Sequence, residues 1–263
     1  MDPTKLAVGA GATVLAVGGS YGISALFKNI PPMPDEHTTV SENTSNFSST
    51  YTSPKFGHAY GKYLVDPTKN QKWWEWSFNY LLSKAESLSS EFQKVKNAYS
   101  SDSNSDAHLN KVCETAFKLD KTDLEVDNKS QYLDNVWRFC SLALNKPVTI
   151  EKSQDKDSYS SPASPEKIGH KHKSTLISIK NPDNDRFWEL RDKEFFEATG
   201  AKSGSQAEEN SFFKKFYETN HTKKENRPSL KSKCQAAYEQ EDNDSTSTET
   251  QAKTSEVTKF CAL

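Results

Sequence analysis

The chain is poor in what globular cores are made from. Only 33% of its 263 residues are apolar, against roughly 45–50% in ordinary soluble domains. Such a chain cannot bury enough surface everywhere to offset its ordering entropy. Long polar linkers between small aromatic-rich cores are therefore expected, since aromatic residues still make up 11%. An excess of one charge is also missing: 34 Lys and Arg stand against 36 Asp and Glu. With no basic stripe to neutralise phosphates, nucleic acid is excluded as a partner. Cysteine is limited to four residues, none in C-x-x-C spacing, so no structural zinc site is expected.

Catalytic signatures are lacking too. There is no phosphate-cradling glycine-rich loop, no nucleophile elbow and no H-E-x-x-H. His170 and His172 flank one lysine in a polar stretch and read as solvated. The acidic groups at Glu208, Glu209, Glu239, Glu241, Asp242 and Asp244 read as surface, with a weak calcium site as the minor alternative. No catalytic, cofactor or metal residue is assigned, and the chain is read as a non-enzyme.

Charge is absent from one long run. Leu6 to Phe27 contains no charged residue and is bounded by Lys5 and Lys28. A helix crossing a bilayer needs about 20 apolar residues. Five glycines weaken the run, each by up to about 1 kcal/mol of helix propensity. In lipid, however, the alternative to a helix is unsatisfied backbone. A cleaved signal is the competing reading, but the run is long and Ser24-Ala25-Leu26-Phe27 lacks the small-residue cleavage pattern. The expectation is an uncleaved signal anchor over 6–27, after a short tail over 1–5, in a single-pass protein of the cell membrane. Most of the chain is placed outside the cytoplasm, although Lys5 and Lys28 give little orientation bias.

What the chain does have is a recurring pattern. Cys113 and Cys140 are 27 residues apart, and so are Cys234 and Cys261. Leu109-Asn-Lys-Val-Cys113-Glu-Thr-Ala-Phe117 matches Leu230-Lys-Ser-Lys-Cys234-Gln-Ala-Ala-Tyr238. Val136 to Leu142 matches Val257 to Leu263 around a shared Phe-Cys. Upstream, Asp66-Pro67 and Trp73-Trp74-Glu75 resemble Asn181-Pro182 and Phe187-Trp188-Glu189. These matches predict tandem copies of one unit, over 61–150 and 176–263. A disordered, Pro-rich stalk over 28–60 and a linker over 151–175 complete the division.

Within each unit the apolar spacing is helical. Leu109, Cys113, Ala116 and Phe117 fall on one helix face, as do Leu230, Cys234, Ala237 and Tyr238. Tyr132, Val136, Phe139, Cys140 and Ala143 form another stripe, with Val257, Phe260 and Cys261 as counterpart. Sustained alternation is missing except at Thr175 to Ile179. The expected fold class is all-α, with a small bundle of three or four helices per unit. Tryptophans at helical spacing usually belong to the core, but Trp74 and Trp188 lie off the inward stripe in both units. They are the candidates for a surface aromatic contact. Each cysteine pair faces the predicted core, so Cys113–Cys140 and Cys234–Cys261 are expected as disulfides, with buried free thiols as the alternative.

These residues resemble a family. The opening Met1-Asp2-Pro3-Thr4-Lys5-Leu6-Ala7, the Gly/Ala-rich apolar run and the Trp-Glu helix starts resemble paralogous uncharacterised membrane-anchored proteins of haemotropic mycoplasmas, as do the paired Leu-x-x-x-Cys and Phe-Cys helices. The resemblance implies display at the surface of a wall-less bacterium living on red cells, and it carries no enzyme activity. The expected function is an antigenic or host-contact surface protein, with a host protein or glycan as partner. An intracellular helical scaffold tethered to the membrane is the alternative, and an enzyme of unrecognised type is the second.

Overall fold

A computed structural model describes residues 30–102, 106–160, 166–242, 244 and 247–263. The expected anchor over 6–27 and the tail over 1–5 lie outside these residues. Among those described, no helix is long and apolar enough to cross a membrane.

The described chain is helical, with no strand and a few isolated β-bridges. Its α-helices are short. In the first half they are α1 Thr44–Thr50, α2 Phe56–Tyr60, α3 Gln71–Tyr80, α4 Ser90–Gln93, α5 Leu109–Lys118, α6 Lys121–Leu124 and α7 Ser130–Cys140. In the second half they are α8 Ile168–Lys171, α9 Asp185–Phe196, α10 Phe212–Asn220, α11 Leu230–Tyr238 and α12 Thr254–Cys261. Helices this short are marginal alone and draw their stability from packing. Local capping sets several starts: the Ser211 and Ser229 hydroxyls accept from Lys214 N and Ser232 N, each at 3.2 Å.

The expected apolar stripes are the core. Leu109, Cys113, Ala116 and Phe117 of α5 are fully buried, as are Leu230, Cys234, Ala237 and Tyr238 of α11. Val136, Phe139 and Cys140 of α7 and Val257, Phe260 and Cys261 of α12 face the same interior. Two expectations need correction. The stalk over 28–60 is part of the folded body from Ile30 onward: Val40, Tyr51, Phe56 and Tyr60 are buried, and Phe56 N donates to Leu119 O at 2.8 Å. The linker over 151–175 is likewise built in, with Tyr159 and Ile168 buried and Ile168 N donating to Gln240 O at 2.9 Å. Both stretches are polar on average, yet each carries a few large apolar side chains that reach a core made by distant helices. Separate bundles also give way to one apolar cluster that includes residues of both halves.

The two halves share a hydrogen-bond frame. Val40 N donates to Leu64 O at 2.9 Å, and Ile150 N to Leu176 O at 2.9 Å. Val65 N donates to Cys140 O at 3.0 Å, and Ile177 N to Cys261 O at 3.1 Å. The Asn70 side chain accepts from Thr38 N at 2.7 Å and donates to Thr38 O at 2.8 Å, and Asn184 does the same to Val148 at the same distances. Gly57 lies so close to the Tyr51 ring that a Cβ there would sit 2.6 Å from it; Gly169 stands in the same relation to Tyr159. One buried polar pair is exchanged rather than repeated: Asn43 with Asp66 in the first half, Asp155 with Ser178 in the second. The shared frame thus opens at Thr38 and Val148, well before the unit boundaries expected at 61 and 176.

Candidate functional site: the disulfide loops and the junction of the halves

The disulfides are the sites the helices build most directly. Cys113 on α5 meets Cys140 at the end of α7, with Cα atoms 5.7 Å apart. Cys234 on α11 meets Cys261 at the end of α12, with Cα atoms 5.9 Å apart. All four residues are fully buried. Helical spacing points each cysteine to the shared interior, and sequestration makes these bonds staples rather than exposed redox centres.

The expected surface tryptophans are not at the surface. Trp74 is fully buried, and Trp188 is 3% exposed. Trp74 Nε1 donates to Asp66 O at 3.2 Å and Lys69 O at 3.0 Å, and Trp188 Nε1 donates to Ser178 O at 3.0 Å. Each indole therefore clamps the loop preceding its own helix. Helical periodicity identifies the face turned to the main core, but here an irregular loop covers a second face of α3 and α9. Val126, at 43%, is the large hydrophobic residue exposed among those described. Aromatic contact through Trp74 and Trp188 is thereby corrected.

The richest cluster of charge lies where the halves meet. Arg191 of α9 is 1% exposed. Its Nη1 donates to Glu194 at 3.0 Å, and its Nη2 donates to Ala262 O at 2.6 Å. Glu194 also pairs with Lys62 of the first half at 3.0 Å, and the Tyr63 hydroxyl donates to it at 3.5 Å. Arg191 stacks over Phe187 and Tyr63, with its guanidinium carbon 5.2 and 5.7 Å from the ring centroids. Burial, reinforced by Glu194 and partly countered by Arg191, pushes the Tyr63 phenol far above its usual range. Burial, with a smaller contribution from Arg191, brings the Lys202 amine down to about 8. A cleft of about 240 Å³ opens here, lined by His37, Glu42, Lys62, Tyr63, Lys193 and Glu194 among others. Glu194 is held from two sides by cations, so the cluster ties the halves together rather than presenting an unengaged acid or base.

A second cleft, of about 370 Å³, runs beside α7 and is lined by Lys84, Asp134, Asn135, Arg138, Lys146 and Asp183 among others. Burial raises the Asp134 carboxyl, against the pull of Lys146, and lowers the Arg138 guanidinium, against the support of Asp183.

Of the histidines flanking Lys171, His172 joins a clasp on Asp242, whereas His170 lies 3.3 Å from Glu166. His172 Nε2 lies 2.9 Å from Asp242, and Thr254 donates to the same carboxylate at 2.7 Å. Lys171 also pairs with Asp242, and Lys167 pairs with Glu239 at 2.6 Å. Burial alone would raise the Asp242 carboxyl, but the bonds from Lys171, Thr254 and His172 hold it down to about 2. Among the described residues, no three His, Cys, Asp or Glu side chains form a candidate metal site. The extent of the shared frame was missed although a signal was present: Lys55-Phe56-Gly57-His58 matches Lys167-Ile168-Gly169-His170, each after a buried tyrosine. No protein-family model, curated protein or solved structure matches the chain.

Proposed function

We propose that the chain is a membrane-anchored, extracytoplasmic surface protein without catalytic activity, whose body contacts the host or diversifies the antigenic surface. The observation that carries this reading is the pair of buried disulfides, each spanning 27 residues. Such bonds persist on the oxidising side of a membrane. The charge-free run from Leu6 to Phe27 supplies the tether in the same reading. The body is read as one helical unit copied in tandem. The repeated backbone bonds, the Asn70 and Asn184 loops and the matching disulfides support that view. With Trp74 and Trp188 buried, host contact is assigned to the polar outer surface rather than to an aromatic platform.

Protease added to intact cells should remove the region after Ile30, and full protection would sink the extracytoplasmic placement. Alkylation of freshly lysed cells before reduction should find no free thiol. Four alkylated cysteines would favour the tethered intracellular scaffold instead.

A further inference from the structure

We propose that the side of the first half carrying Lys72, Tyr80 and Lys84, beside the contact of buried Trp76 with Pro31, rests on the lipid surface that the apolar run enters. This rests on the anchor reading above and adds which side of the body meets the bilayer.

The chain is already fixed to the body at the first described residues. Trp76 Nε1 donates to Pro31 O at 2.9 Å. Ile30 and Met33 pack against the core. Seven residues on, Thr38 is locked by the Asn70 side chain, and Asp66 N donates to Thr38 O at 3.0 Å. The charge-free run ends at Phe27, so only Lys28 and Asn29 separate it from Ile30. A fully extended chain covers at most about 3.6 Å per residue, so Ile30 stands within roughly 11 Å of the end of that run. The body has no room to stand off on a stalk. The part of it carrying Ile30 and Trp76 must lie at the headgroups.

That face has matching chemistry. Lys72, Trp76 and Tyr80 recur every fourth residue on α3, and Lys84 extends the row beyond the helix end. Lys72 and Lys84 are exposed and form no ion pair among the described residues, and Lys84 lies 5.6 Å from the Tyr80 ring centroid. Tyr80 is half-buried, and tyrosine favours the membrane–water boundary, while lysine stems lie along apolar surface as the ammonium reaches headgroup phosphates; Trp76 is buried and serves to hold Pro31. Asp35, Glu36 and Glu75 line an open basin shared with Lys69 and Lys72 beside this row, and Glu86 and Asp134 line the cleft beside α7 that includes Lys84. Glu75 accepts from the Gln71 side chain at 2.8 Å.

The test uses the full chain in phosphatidylcholine vesicles doped with a headgroup-nitroxide lipid. Every native cysteine is in a disulfide, so Asn79→Cys offers a single thiol for a fluorophore next to the row. A second protein carries the same label and about twenty Gly/Ser residues inserted between Asn29 and Ile30, which add roughly 25 Å of reach. Quenching at position 79 should be several-fold stronger without the insert. Equally weak quenching in both proteins, with both still floating with the vesicles, overturns this surface while leaving the anchor intact. Failure to float with vesicles overturns the anchor and the surface with it.

Discussion

Removing one disulfide tests how the two halves share stability. The paired change Cys113→Ala and Cys140→Ala opens a loop whose ends are 27 residues apart. Loop-closure entropy for that length is worth about 3.5 kcal/mol. Both side chains are fully buried, so their truncation adds roughly 1 kcal/mol of lost packing. For a chain of this size each kcal/mol moves the midpoint by about 2–4 °C, so a drop of roughly 9–18 °C is expected. The corresponding change at Cys234 and Cys261 opens a loop of equal length and should cost as much. Because one apolar cluster includes both halves, each paired variant should show a single calorimetric transition displaced as a whole. A shift under about 2 °C would refute the loop-entropy reasoning. A thermogram in which one half melts early while the other keeps its original midpoint would refute the shared core.

Three further outcomes follow from the junction, the clasp and the tight glycines. Arg191→Ala strips Glu194 of its buried partner, leaves Ala262 O without a donor and removes stacking on Phe187 and Tyr63, so urea unfolding should show a loss of about 3 kcal/mol; a loss below about 1 kcal/mol would mean that Lys62 alone suffices. Asp242 has a folded-state value depressed to about 2, below its unfolded value, so its contribution is present above about pH 4 and lost as pH falls toward 2; Asp242→Asn should flatten that acid limb of the midpoint-against-pH curve, and an unchanged limb would contradict the clasp. Gly169→Ala would place a methyl 2.6 Å from the Tyr159 ring and 2.9 Å from Tyr238 Cβ, so thermal melts should register about 1–3 kcal/mol of destabilisation; a neutral result would show that this contact relaxes freely.

Legibility tracked how each residue earns its place. The cysteines were readable because a 27-residue interval recurs and each falls on a helical apolar stripe, two independent regularities that agree. The stripes of α5, α7, α11 and α12 were readable for the same reason, since one face of each carries its burial. Trp74 and Trp188 were misread because α3 and α9 are also covered by the loops before them, and a loop contact has no period. The stretches over 28–60 and 151–175 were misread because composition averages over a window. Tyr51, Phe56, Tyr159 and Ile168 are sparse, yet each inserts into a core supplied by helices far along the chain. The junction was unreadable in detail: Lys62 and Glu194 are 132 residues apart, and nothing local marks them as partners.

Between the two halves, some contacts recur and others differ. Backbone bonds recur with distances that differ by at most 0.1 Å at Val40 and Ile150, Val65 and Ile177, and Phe56 and Ile168. Side chains at the Asn43–Asp66 and Asp155–Ser178 pairs differ, with the acid on the later segment in the first half and on the earlier segment in the second. A buried hydrogen bond needs one donor and one acceptor, and it is indifferent to which side supplies the acid. The same holds outside: backbone bonds close this end in both halves, from Phe56 to Leu119 and Lys121 to Pro54 and from Ile168 to Gln240 and Asp242 to Glu166, but in the second half the Asp242 side chain also gathers His172, Lys171 and Thr254. A frame stapled by a disulfide and backbone bonds leaves its outer charges free to diverge at little cost in stability, because exposed charge substitutions away from such features usually stay within about 0.5 kcal/mol.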